Sequence, residues 1–247
     1  MIRRVACDIA KEGTISSAAY PLSVRGFFDQ PSRGLWLVKW LLLIPHYIIL
    51  VFLWLAFWIV TVIAFFAILF TTRYPKGLFD FNVGVIRWSW RVSFYGYTAL
   101  ATDRYPPFTL ADVPDYPARL EVEYPQQLNR WLPLVKWLLA VPQYLLVGAL
   151  VGSGYAVASG MENDRGVSYS APSLIGASVL IAAVALLFTT RYPTGLYDLV
   201  VGINRWSYRL VVYVALMTDR YPPLRLDQGG EDLEGPAEPA AASETSQ

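Results

Sequence analysis

From Leu35 to Phe70 the chain is almost wholly apolar, broken by Lys39, Pro45 and His46. No charge falls in the 33 positions from Trp40 to Thr72, more than the roughly 20 residues that cross a bilayer as a helix. Pro45 removes one helical hydrogen bond and favours a kink. The pattern therefore predicts a slanted or interfacial section over Leu35–Ile44, with Lys39 snorkelling and Trp36 and Trp40 at headgroup depth. A crossing helix over His46–Phe70 follows, its reach about 37 Å.

A different periodicity follows each Arg-Tyr-Pro turn. At about 100° per residue, Asp80, Gly84, Arg87, Arg91 and Thr98 share one direction, with Val83, Ile86, Trp88, Trp90 and Tyr97 opposite. Farther along, Asp198, Gly202, Arg205 and Arg209 form the same polar stripe against Val201, Ile203 and Trp206. Amphipathic helices over 80–101 and 197–217 are predicted. Either they cross the bilayer with their arginines turned inward, or they lie along the interface with Trp at acyl depth and Arg toward phosphates. The polar turns on both flanks favour crossing. Between them, Lys136–Ala158 and Pro172–Phe188 are apolar segments of near-crossing length, separated by the polar Met161–Arg165. Gly148, Gly152 and Ala156, spaced by four, offer the first of these a small-residue packing face.

Internal comparison reveals that half of the chain repeats the other half. Leu37-Val38-Lys39-Trp40-Leu41-Leu42 recurs as Leu134-Val135-Lys136-Trp137-Leu138-Leu139, Thr71-Thr72-Arg73-Tyr74-Pro75 as Thr189-Thr190-Arg191-Tyr192-Pro193, and Thr102-Asp103-Arg104-Tyr105-Pro106-Pro107 as Thr218-Asp219-Arg220-Tyr221-Pro222-Pro223. The offset is 97, 118 and 116 residues at the three blocks, so the second copy holds about 21 additional residues between Pro142 and Thr189. The organisation read from this is a polar N-terminal segment (1–19), membrane repeats at 20–109 and 116–225, and a disordered acidic tail (227–247). Each repeat opens on a polar preface, Tyr20–Gly26 and Tyr116–Pro125; the second alternates charge and hydrophobe from Arg119 to Tyr124. The two prefaces are candidates for a small sheet against the headgroup layer or for extended linkers.

Composition agrees with a membrane reading: 55% hydrophobic and 15% aromatic residues, with a mean hydropathy of +0.39. The net charge of +1 conceals an uneven distribution, since residues 227–247 hold six acids and no base, leaving +7 elsewhere. An ordinary soluble enzyme, a nucleic-acid binder with a basic face, a disulfide framework and a thiolate metal cluster are all excluded. The single Cys7 gives no redox assignment, and no cleavable signal peptide is recognisable. The expected fold class is an all-α integral membrane protein built from tandemly repeated helical units, with short interfacial strands as an option. Five membrane helices are expected, near 46–70, 80–101, 137–158, 172–190 and 197–217. Arg3, Arg4, Lys11, Arg25 and Arg33 precede the first, which places the N-terminus in the cytoplasm of a multi-pass plasma-membrane protein. An odd count sends the tail outside and puts the two Arg-Tyr-Pro turns on opposite faces, as in inverted repeats.

The blocks Leu-Val-Lys-Trp-Leu-Leu, Thr-Thr-Arg-Tyr-Pro-x-Gly-Leu, Val-Gly-x-x-Arg-Trp-Ser and Thr-Asp-Arg-Tyr-Pro-Pro resemble an uncharacterised bacterial membrane family, domain of unknown function 4389, present here as two tandem copies. The resemblance implies several membrane helices and no known chemistry.

Functionally, the repeated Arg and Asp residues are the material available. Arg87, Arg91, Arg205 and Arg209 are candidates for binding lipid headgroups or a transported anion. Asp80, Asp198, Asp103 and Asp219 are their candidate structural ion partners, and a purely structural role for the arginines is the favoured alternative. Arg73, Tyr74, Pro75, Arg191, Tyr192 and Pro193 are expected to form interfacial turns. No cofactor is expected, and the lone His46 is a poor metal ligand because Gln143 replaces it in the second repeat. No phosphate loop, nucleophile elbow or zinc-hydrolase signature occurs, so an enzyme ranks last. A structural or accessory envelope component is the leading reading. Its expected partners are membrane lipids, anionic ones included, and another envelope protein or a further copy of the chain.

Overall fold

The computed structural model describes residues 20–29, 31–32, 34–96, 98–151, 174–189, 193–224 and 226–227. The fold is mostly helical with two short strands. Strand β1 (Leu22–Gly26) precedes helices α1 (Trp36–Thr71) and α2 (Lys76–Tyr95). Strand β2 (Ala118–Val122) precedes α3 (Leu132–Leu139), α4 (Val141–Val151), α5 (Leu174–Thr189) and α6 (Thr194–Val214).

Helix α1 is continuous through Pro45, where the sequence predicts a slanted section and then a crossing. Its buried residues, Lys39, Leu43, His46, Leu50, Phe57, Thr61, Ala64 and Ile68, recur at intervals of three, four and seven and form one stripe. Lys39, Leu43 and His46 grip the turns on both sides of the proline, so packing offsets the lost hydrogen bond. Lys39 is fully buried rather than snorkelling. The helix stops where Thr72 takes a left-handed conformation, φ 58°, and returns its N–H to the Ile68 carbonyl. Pro75, in extended backbone, then opens α2.

The second repeat builds the same stripe from three pieces. Lys136, Ala140 and Gln143 stand at the positions of Lys39, Leu43 and His46, and Ile175, Val179, Ala182 and Leu186 at those of Phe57, Thr61, Ala64 and Ile68; all seven are buried. Thus α3 and α4 correspond to the first half of α1, and α5 to the second half. The chain breaks at Ala140, which leaves Pro142 in the first turn of α4, where a missing N–H costs nothing. Gly152, Ala156 and Met161–Arg165 lie outside the described residues, and Gly148 has open space around it. Of the five expected membrane helices, among the described residues only α1 is long and apolar enough to cross a bilayer. Helices α2 and α6 end earlier than predicted because the chain turns back: Leu100 (φ 52°) and Leu216 (φ 63°), at equivalent positions, both take left-handed backbone.

The prefaces pair with each other. Strands β1 and β2 are antiparallel, with Leu22 opposite Val122, Val24 opposite Leu120 and Gly26 opposite Ala118. This register is symmetric, since Leu22 and Gly26 correspond to Ala118 and Val122; a pseudo-two-fold axis passes between Val24 and Leu120, perpendicular to the ribbon. Leu22, Val24, Ala118 and Leu120 face the core, while Glu121 on the opposite face is exposed. Helices α2 and α6 share the covered face and touch one another through Trp90 and Tyr208, whose rings lie 5.7 Å apart at 76°. Beyond them lie α1 on one side and α4 with α5 on the other, with outward surfaces of Leu, Ile, Val, Phe and Trp. The order of layers is polar ribbon, amphipathic helices, apolar helices.

Gly84 of α2 is where the loop after the helix comes closest: a Cβ there would lie 2.8 Å from the Leu110 Cβ and 3.1 Å from its carbonyl oxygen. Gly77 has nothing within 4 Å. Gly84→Ala is expected to destabilise the detergent-solubilised protein by about 1–3 kcal/mol, and Gly77→Ala to be neutral or stabilising; thermal melts of the two variants compare them directly.

Candidate functional site

The arginine stripe meets the edges of the ribbon. Phe27 N–H donates to Pro117 O and Glu123 N–H to Pro21 O, each at 2.8 Å. Counting inward by twos makes Val24–Leu120 a non-hydrogen-bonded pair, so both carbonyls point away from the partner strand. Each edge carbonyl accepts from an arginine of the other repeat. Arg87 Nε of α2 donates to Leu120 O at 3.0 Å, and Arg205 of α6 donates through Nε and Nη2 to Val24 O at 3.1 and 2.9 Å. Arg205 also donates to the Asp227 carbonyl. Arg91 Nη2 donates to Thr109 O and Ala111 O at 2.8 and 3.0 Å, and Arg209 Nη1 lies 2.5 Å from Asp227 Oδ2. Arg91, Arg205 and Arg209 are at most 1% exposed. Arg87 is half-buried, with Asp112 Oδ1 3.5 Å from its Nε.

A second duplicated group holds the start of the apolar layer. Lys39 Nζ donates to Thr102 O at 2.6 Å, lies 3.0 Å from Asp103 Oδ1 and sits 4.6 Å from the centre of the Tyr95 ring. Lys136 Nζ repeats this with Thr218 O and Asp219 Oδ1, both at 2.7 Å, and the Tyr213 ring at 5.4 Å. The other oxygen of each carboxylate accepts a backbone N–H from equivalent positions: Ser32 to Asp103 at 2.5 Å and Asn129 to Asp219 at 2.6 Å. Burial pushes the Asp103 carboxyl up, but the Ser32 N–H and hydroxyl and the Lys39 ammonium outweigh it and hold its pKa below the ordinary value.

In a third group, Trp88 Nε1 donates to His46 Nδ1 at 3.1 Å and Trp206 Nε1 to Gln143 Oε1 at 2.7 Å. Histidine and glutamine thus supply the same acceptor, which accounts for their exchange between repeats. His46 is stacked on Phe108 with ring centres 4.1 Å apart.

The expected ion partners divide. Asp103 and Asp219 pair with lysines, and Asp80 with Lys76 on the exposed first turns of α2 at 3.5 Å, away from Arg87. Asp198 is half-buried in α6. In the first turn, Arg73 and Pro75 are exposed. Tyr74 is fully buried: its hydroxyl accepts from Asn82 Nδ2 at 2.9 Å and its carbonyl from the Tyr124 hydroxyl at 2.5 Å. Pro193 is exposed, and Arg191 and Tyr192 lie outside the described residues. Asp112, which meets Arg87, escaped the sequence reading because it falls in no repeated block. Asp227 reads in the sequence as the first acid of the disordered tail, but Arg205 and Arg209 hold it against α6. Lys39 and Lys136 were legible as repeated residues in apolar surroundings, but not as partners of an Asp more than 60 positions away. Among the described residues, no three His, Cys, Asp or Glu side chains gather as a metal site. A half-open cleft of about 220 Å³ lies where β2 ends, lined by Glu123, Gln126, Gln127 and Arg220 among others, with the lysine-paired Asp219 at its wall.

Removing one partner of a buried pair strands the other, so Lys39→Met is expected to cost about 3–5 kcal/mol and Lys39→Met with Asp103→Leu markedly less, read from denaturant unfolding in mild detergent. Because the folded pKa of Asp103 is depressed, its contribution is full above the unfolded pKa near 3.8 and is lost as the pH falls below it. Stability measured from pH 6 to pH 3 is expected to fall less steeply in Asp103→Asn than in the wild type. Arg205→Met, which removes the guanidinium bonds to the Val24 and Asp227 carbonyls while Arg209 still holds the Asp227 carboxylate, is expected to cost about 2–5 kcal/mol, against under about 0.5 kcal/mol for the exposed Arg73→Met.

Searches of the curated proteins and of the solved structures return no match. The family model described as Domain of unknown function (DUF4389) matches residues 33–109 and again residues 166–224. The matched segments span α1 to the Thr-Asp-Arg-Tyr-Pro-Pro loop of the first repeat, and α5, α6 and the equivalent loop of the second; both strands fall outside them. Together they cover more than half of the chain, which therefore belongs to the DUF4389 family as two tandem copies.

Proposed function

We propose that this chain is a membrane-seated structural or accessory component of the cell envelope. The carrying observation is the outward surface of α1. Its most apolar window has a mean hydropathy of 2.9 and is only 22% buried within the fold, the reverse of a soluble core helix. Val51, Phe52, Leu55, Trp58 and Phe70, among others, face outward. Apolar surface of this extent exceeds what soluble monomers display and marks an interaction surface. Supporting a structural role, the four arginines direct donors at carbonyls and carboxylates of the chain itself, so their stripe joins layers within the protein. An architectural device that is duplicated and bonded to the chain's own carbonyls and carboxylates suits a scaffold better than a catalyst.

The test is fractionation of cells expressing the full chain. The wild type is expected to stay with membranes through high salt and alkaline carbonate and to be released by detergent. Phe52→Asp with Leu55→Asp, both at exposed positions of α1, is expected to reduce the retained fraction, since each removes about 1.5–3 kcal/mol of apolar burial and adds a charge. A wild-type chain recovered in the soluble fraction without detergent would overturn the proposal.

A further inference from the structure

We infer that the described fold seats in a single leaflet, with α1 lying along the membrane plane, its outer face in hydrocarbon and the two-stranded ribbon turned to water. The inference rests on the membrane seating proposed above and specifies its geometry.

Helices α1 and α2 run antiparallel side by side. Lys39 lies over Tyr95, His46 accepts from Trp88, Trp54 donates to Ser89, and Thr61 accepts from Asn82. Whatever direction α1 takes relative to the bilayer, α2 shares it. The far side of α2 is clad by β2 and by the loop that follows the helix, which carry Arg104, Asp112, Asp115 and Glu121 at the surface. Arg104 and Asp115 lie level with the first turns of α1, but Asp112 and Glu121 lie level with Arg87 in the middle of α2. Were the pair to cross the bilayer, these two would stand in hydrocarbon, at about 2.5–3.5 kcal/mol or more apiece. Lipid can therefore reach α1 only from the side opposite α2.

The length of the apolar surface agrees. Exposed hydrophobic residues continue from Leu37 to Phe70, a rise of about 50 Å against a hydrocarbon core of about 30 Å. The tryptophans of α1 stand at 36, 40, 54 and 58; a crossing helix gathers them at its two ends, whereas an in-plane helix holds every position near the interface. The pseudo-two-fold axis is perpendicular to the ribbon, so it carries α1 onto α3, α4 and α5 at the same depth. Phe65 stacks on Trp137 across that boundary, ring centres 5.7 Å apart, and joins the two apolar surfaces into one floor. The repeats are then related by an axis along the membrane normal, and not inverted.

The occupant is lipid rather than a second copy. Exposed apolar residues cover more than half of the circumference of α1, at about 100° per residue. A rigid partner covers a stripe of such a convex surface, while fluid acyl chains cover all of it.

The discriminating positions are the two ends of α1. Gly34 and Lys76 are both exposed. In full-length chain carrying Cys7→Ser, Gly34→Cys and Lys76→Cys are introduced singly, and membrane-impermeant maleimide is applied to spheroplasts and to inverted vesicles. Both cysteines are expected to react from the same side and to be protected from the other. Reaction from opposite sides would overturn the inference while leaving the membrane seating intact; a chain that reacts in the soluble fraction would overturn the seating itself. In vesicles of phosphatidylethanolamine and phosphatidylglycerol, nitroxides at Val51, Leu55, Ile59 and Phe66 are expected at one shallow depth, roughly 5–10 Å below the headgroup boundary. A depth that rises to a maximum in mid-helix, or spin–spin broadening between chains in place of lipid contact, would also overturn it.

Discussion

Two carbonyl groups at the edges of a two-stranded ribbon set the terms for this fold. A β-ribbon has no interior strand, and each edge leaves main-chain acceptors that need partners. Val24 and Leu120 meet that need with arginines, each supplied by the helix of the other repeat. An orphaned buried acceptor costs about 1–3 kcal/mol and a buried guanidinium without partners more, so ribbon and stripe stabilise each other only when both are in place. The exchange is reciprocal: Tyr20 donates to Arg220 O at 3.4 Å, and Tyr116 to Arg104 O at 3.0 Å. Neither repeat closes its own polar layer. The duplication is better described as two interlocked halves than as two domains in tandem.

The lysine clamps extend the same logic toward the apolar side. Each fastens the first turns of an apolar segment to the loop that leaves the amphipathic helix, with a tyrosine ring beside the ammonium group. The Trp–His and Trp–Gln contacts lie one turn or two farther along and do similar work with a neutral donor. Polar groups are thus confined to the seams between layers, which leaves the outer surface of α1 free of charge along its length.

Much of this was legible in the chain. The repeats, the two helical periodicities and the stripe of Asp, Gly and Arg needed only comparison and counting, and the alternation from Arg119 to Tyr124 marked one strand. What was not legible depends on contacts between distant segments. The spacing of Asp80 and Arg87 invites an ion pair along one helix, but Arg87 is turned to a strand of the other repeat and Asp80 to Lys76. Tyr74 reads as an interfacial tyrosine because its neighbours are Arg and Pro, yet Asn82 and Tyr124 draw it into the core. Pro45 reads as a bend because sequence carries no record of the packing on both sides of it. The strand of the first repeat was the hardest to see, since Tyr20–Gly26 has only Val24 and Leu22 to set against Ser23 and Arg25.

The pairing of Val24 with Leu120 is the contact on which the interlock depends, and disulfide trapping measures it directly. Non-hydrogen-bonded antiparallel partners have Cα atoms about 4.5 Å apart, within the range a disulfide accepts. In full-length chain carrying Cys7→Ser, Val24→Cys with Leu120→Cys should oxidise to a single intramolecular bridge, independent of protein concentration, and Val24→Cys with Val122→Cys should do so far less readily. No bridge, or a bridge formed only between chains, would contradict the interlocked arrangement.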